Sequence, residues 1–138
     1  MESETLAERV LKIILRLTAA SMLLALVAVF MPKPWMAMAH EWLGLGTFPQ
    51  QPIAEYLART TSALYALVGG ALLISASDVR RYGRMITYLA LATAGVPVAI
   101  AVTCLNDLPP WWLAGDLVTA GGFAIVVFVL QYMARKGR

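Results

Sequence analysis

Few residues of this chain have the capacity for chemistry. There is one histidine, His40, with Glu41 beside it. Glu55, Asp107 and Asp116 add three carboxylates, and Arg59 adds a guanidinium four residues after Glu55. An imidazole among several carboxylates is a donor set that zinc or iron accepts. A histidine can also act as a general base where a substrate is held within reach. The spacing argues against a metal: no H-x-x-H, H-E-x-x-H or E-x-x-H pattern occurs, and a sole histidine excludes a His-rich site. The reading assigns no catalytic residue, metal or cofactor, and it leans away from an enzyme. His40 and Glu41 read as the polar face of an interfacial segment.

Arg59 and Asp116 differ from the rest because they fall inside apolar stretches. An ionisable residue at membrane depth is costly when unpaired and marks a functional candidate. The expectation is an Arg59–Asp116 pair, or a network that includes Glu55 and Asp107, with Ser62 and Tyr65 extending it inward. Glu55 and Arg59 have the favourable i,i+4 order, acid first. The plainer alternative is an ion pair that fixes helix register, with Arg59 reaching toward lipid phosphate.

The elements that must position these residues follow from composition. The chain has 138 residues, 60% hydrophobic and 14% charged, with a mean hydropathy of +0.72. A soluble domain is roughly half apolar and about a quarter charged. A soluble globular domain and a disordered chain are both excluded. The single cysteine, Cys104, excludes an internal disulfide and any CxxC site, and reads as a small packing residue.

A membrane-crossing helix needs about 20 apolar residues. Four runs qualify, with spans expected at about 10–31, 54–77, 85–105 and 112–134. They are continuous rather than alternating, which excludes barrel strands. The expected fold is all-α: one transmembrane domain over residues 1–138, an antiparallel bundle of four transmembrane helices. A short interfacial helix is expected in the first outer loop, with Trp35, Met38 and Trp42 on one face and Gly44 and Gly46 ending it. Small residues predict the packing faces: Thr18, Ser21, Ala25 and Ala28; Ser62, Ala66 and Gly70; Thr87, Ala90 and Ala94; Gly115, Thr119 and Gly122. Pro97 predicts a kink in the third span. Residues 4–16 read as a helical extension in the headgroups, with Leu6, Val10, Ile13 and Ile14 set against Glu8, Arg9, Lys12 and Arg16.

Nine of the eleven Lys and Arg residues fall on one side of the membrane: three in the N-terminal segment up to Arg16, three between the second and third spans, and three at the end. Only Lys33 and Arg59 fall on the other. The positive-inside rule then places both termini in the cytoplasm. Trp35, Trp42, Tyr56, Trp111 and Trp112 mark the outer boundary, and Tyr82, Tyr88 and Tyr132 the inner one. A cleavable signal peptide ending at Ala37-Met38-Ala39 is the competing reading, but its leading region would carry Glu2, Glu4 and Glu8. The basic stretch 78–84 reads as a topology signal and anionic-lipid contact, not as a nucleic-acid patch.

His40–Gly46, Pro52–Arg59 and Ser62–Gly70 together resemble small bacterial four-span inner-membrane proteins of unknown function, over about a third of the chain. The resemblance implies no activity and marks the outer loop and second span as distinctive. Small multidrug-resistance transporters resemble it in size and span number, but their membrane-embedded Glu is missing from Leu17–Met31. Vitamin K epoxide reductase-like proteins need a CxxC, and DoxX-like proteins share only size and span count. The leading expectation is a non-catalytic accessory or assembly partner whose surroundings are the lipid bilayer, a membrane-protein partner or further copies of itself. The alternatives are a small dimeric transporter or channel, and an outer-facing ligand-binding or enzymatic pocket around Arg59 and Asp116.

Overall fold

In lipid a backbone must satisfy its own N–H and C=O groups, and a helix does this within one segment. A computed structural model describes residues 4–103 and 109–137, and every regular element among them is an α-helix. The elements are α1 (Leu6–Leu23), α2 (Leu26–Phe30), α3 (Lys33–Trp42), α4 (Pro52–Ser75), α5 (Gly83–Thr103) and α6 (Pro110–Lys136). Four segments are long and apolar enough to cross a membrane: Leu6–Phe30, Pro52–Ser75, Gly83–Thr103 and Pro110–Lys136. The fold is all-α with four candidate spans, as expected, and their described limits lie within four residues of the expected ones.

The first span is broken between α1 and α2. Ala25, Val27 and Ala28 donate to the carbonyls three residues back, at 3.0–3.1 Å, so the helix tightens there into 3₁₀ geometry. Neither proline nor glycine marks the site, and pattern reading missed it. The stop after Phe30 is readable. Met31 is extended (ψ 134°), as the residue before a proline prefers, and Pro34 sits in the first turn of α3.

α3 is the expected short helix. It ends in a Schellman motif: Gly44 N–H donates to Glu41 O (2.9 Å) and Leu45 N–H to His40 O (3.1 Å). That motif needs a left-handed residue, and Gly44 supplies φ +71°. Trp35, Met38 and Trp42 are exposed on one face, while Met36 is buried on the other.

The chain divides into two units, one comprising the chain up to Arg16 and from Leu72 onward, the other Leu17–Ala71. In the first, α5 packs along α6. The buried positions of α1 there are Glu8, Leu11 and Leu15, while Leu6 is 75% exposed and Ile13 also exposed. Arg9 and Arg16 of the expected polar face are exposed, and Glu8 is the residue of that face that departs from the expected pattern. The sequence pattern treated Glu8 as a solvated charge, whereas its charge is compensated by Arg80 and can be buried beside leucines.

In the second unit α4 meets α1 at Gly69. A Cβ there would stand 2.9 Å from Met22 Cβ and 3.0 Å from the Ala19 carbonyl. The expected stripe through Gly70 is therefore displaced; a Cβ on Gly70 would meet nothing within 4 Å. Steps of four residues turn a helix by about 400°, so a strict i+4 stripe drifts off a face that alternating steps of three and four follow. In α6 the small residues Gly115, Thr119 and Gly122 are exposed, opposite the buried Leu113, Ala124, Val127 and Gln131. α5 continues as one helix through Pro97.

Candidate functional site

Arg59 lies near the start of α4, half-buried, and four of its five N–H donors are occupied. Nε and Nη2 donate to Glu55 Oε1 at 3.2 and 2.8 Å. Nη2 also reaches the Met31 carbonyl at 2.9 Å, and Nη1 donates to the Val29 carbonyl. Those carbonyls lie where the first span ends, where helix geometry leaves acceptors without partners. A cation at a helix C-terminus is also favoured by the helix dipole. The Glu55–Arg59 pair is present as the i,i+4 spacing implied. Arg59 thus joins the second span to the end of the first and closes its unmatched carbonyls.

The other expected site residues take separate places. His40 Nδ1 donates to the Gly46 carbonyl at 2.9 Å, and its ring stands edge-on to Phe48 at 5.5 Å. Lys33 Nζ donates to the Gln50 carbonyl at 3.4 Å across the same loop. His40 therefore fastens the loop after α3. Tyr65 is 52% exposed on the surface of α4. Asp116 is exposed on α6, in the first unit, and its backbone carbonyl accepts from Thr119 Oγ1. Asp107 and Cys104 lie outside the described residues. Among the described residues, no three His, Cys, Asp or Glu side chains are grouped to hold a metal ion.

Among the described residues, the most deeply buried charge lies at the basic end of the first unit. Glu8 is 1% exposed and accepts a two-pronged bond from Arg80, Nε to Oε1 at 2.7 Å and Nη2 to Oε2 at 2.8 Å. Arginine's planar fork matches a carboxylate in this way, and the charge-assisted bonds are short and strong. Glu8 also closes a capping box on α1: Thr5 N–H donates to Glu8 Oε2 (3.0 Å) and Glu8 N–H to Thr5 Oγ1 (3.2 Å). Thr5-Leu-Ala-Glu8 is the S/T-x-x-E signature, a signal of this cap that the sequence itself carries. No local signal pairs Glu8 with Arg80, which lies 72 residues away.

An open cleft of about 320 Å³ lies over this pair, lined by Glu4, Glu8, Lys12, Ser77, Asp78 and Arg80. Its charges are matched within it: Lys12 bonds Glu4 at 2.9 Å, and Asp78 Oδ1 accepts the backbone N–H groups of Arg80 and Arg81. The Arg81 N–H, aided by that of Arg80 and by the charges of Lys12 and Arg81, holds the Asp78 carboxyl below its ordinary pKa against a smaller opposing effect of burial. Beneath the cleft is a buried polar cluster. Gln131 Nε2 donates to Gly83 O (2.9 Å), and Thr87 Oγ1 lies 2.9 Å from Gln131 Oε1 and 3.0 Å from Gly83 O. This ties α6 to the start of α5.

The four apolar helices make this a multi-pass, all-α integral membrane protein. No protein-family model, curated protein or solved structure matches the chain.

Proposed function

We propose that the protein is a non-catalytic accessory or assembly partner within a bacterial inner membrane, a four-helix bundle with both termini in the cytoplasm. It belongs with the small four-span bacterial proteins that the outer loop and second span resemble. The observation that carries this reading is the internal use of Arg59: four of its five N–H donors are bonded to Glu55 and to the Val29 and Met31 carbonyls. An outer binding pocket built on Arg59 would need those donors turned to a cavity, which weakens that alternative. The buried charge at the basic end is likewise matched within the fold. A protein whose polar groups are used for its own architecture offers a partner shaped surface rather than chemistry.

Orientation rests on nine basic residues gathered on one side of the spans. The test is native mass spectrometry after extraction from the protein's own membrane in mild detergent. The reading expects a second protein bound at fixed stoichiometry. The chain alone, holding a small polar molecule released by Arg59→Leu but not by Glu8→Gln, would overturn it in favour of an outer pocket.

A further inference from the structure

Charge at the basic end of the first unit is sorted by sign. Every described acid there has a partner: exposed Glu4 bonds Lys12, buried Glu8 bonds Arg80, and exposed Asp78 accepts from two backbone N–H groups. The cations Arg9, Arg81, Arg84, Arg135 and Lys136 are all exposed, and among the described residues none has an acidic partner. They form one end of the unit. The Glu8–Arg80 pair brings the start of α1 to the turn before α5, and a small cavity of about 90 Å³ is lined jointly by Glu8, Arg80, Gly83 and Arg135. The end of α6 reaches the same place, since a Cβ on Gly137 would stand 3.7 Å from Thr5 Cγ2.

The cations also have a consistent neighbour. One helical turn toward the membrane from Arg9, Arg84 and Lys136, on the same helix face, stand Ile13, Tyr88 and Tyr132. All three are at least half exposed. A positive head above an exposed apolar or aromatic residue, repeated on α1, α5 and α6, matches a molecule with an anionic head and an apolar tail. Nucleic acid or an acidic soluble protein would match the cations but not the apolar residues below them.

We infer that this end of the protein is a binding surface for anionic phospholipid headgroups, with the phosphates held by Arg9, Arg84 and Lys136 and flanked by Arg81 and Arg135. The acyl chains run down past Ile13, Tyr88 and Tyr132. The ion pairs of Glu4 with Lys12 and of Glu8 with Arg80 offset two of the negative charges that would otherwise repel the lipid.

The experiment uses the full chain in nanodiscs of mixed phosphatidylglycerol and phosphatidylcholine, with the lipid retained after mild detergent transfer measured by mass spectrometry. Wild type should retain phosphatidylglycerol above its share in the disc, and the excess should fall as salt is raised. Each cation near an anionic surface contributes about fivefold in binding, so the triple variant R9Q/R84Q/K136Q should lose the excess by tenfold or more. The charge-keeping variant R9K/R84K/K136R should restore it and shows that loss is not misfolding. Retention in bulk proportion by wild type, or an undiminished excess in the folded triple variant, overturns the inference. So does an excess of phosphatidylglycerol insensitive to salt.

Discussion

Removing Arg80 tests the least visible part of this structure. In Arg80→Met the side chain keeps an unbranched apolar stem and loses its fork, and Glu8, 1% exposed, keeps the Thr5 N–H but loses the bonds from the Arg80 guanidinium. Breaking one side of a buried pair costs about 3–5 kcal/mol, because a desolvated charge is left behind. Arg80 itself is about a third exposed, 31%, so water already screens part of the pair and the lower part of that range applies, about 3 kcal/mol. Glu8→Gln removes the charge but leaves an amide oxygen for Thr5 and Arg80, and should cost about 1 kcal/mol. The double variant should be more stable than the sum of the single effects implies, with a coupling of about 1–2 kcal/mol. Unfolding in mixed micelles of rising denaturing-detergent content, followed by helical circular dichroism, measures all four proteins. The reasoning fails if Arg80→Met unfolds with wild type, or if the two single effects simply add.

Three further predictions follow from named contacts. Arg59→Leu leaves the Val29 and Met31 carbonyls without their donor and Glu55 without its cation; the same unfolding assay should show a loss of about 2–4 kcal/mol, and Arg59→Lys a smaller one. Gly69→Val should destabilise by about 1–3 kcal/mol, because the obstructing Ala19 and Leu23 atoms are backbone and cannot rotate away, whereas Gly70→Ala should be neutral or mildly stabilising. Asp78 is held below its ordinary pKa in the folded chain. Its stabilising effect is present above the ordinary carboxyl value of 3.8 and is lost as pH falls through the lower folded value. Asp78→Asn should therefore flatten the acid limb of the stability–pH curve, and an unchanged limb would exclude Asp78 as its source.

The spans were legible because length and apolar continuity suffice in lipid, and Pro32, Pro52 and Pro110 punctuate them at the positions where helices start or stop. The Glu55–Arg59 pair was legible because it is local. The Schellman end of α3 was legible through Gly44 and Gly46. What stayed hidden was long-range or compensatory. Glu8 looked like a surface acid because nothing within its own helix announces Arg80. For Arg59 a carboxylate network was expected, whereas its carbonyl partners arise from the end of a helix some thirty residues earlier, and backbone acceptors carry no sequence signature. The packing faces were misplaced where four-residue spacing was followed literally, at Gly70 and along Gly115, Thr119 and Gly122.

Topology is the most direct test of the account, since four spans with the basic ends on the cytoplasmic side underlie everything else proposed. Single-cysteine reporters at Glu41, Ser77 and Gly137, placed in a Cys104→Ser background, would be exposed in intact cells to a maleimide that cannot cross the membrane. The account predicts labelling at position 41 alone, with positions 77 and 137 labelled only after permeabilisation. Labelling of 77 or 137 in intact cells, or protection of 41, would contradict it.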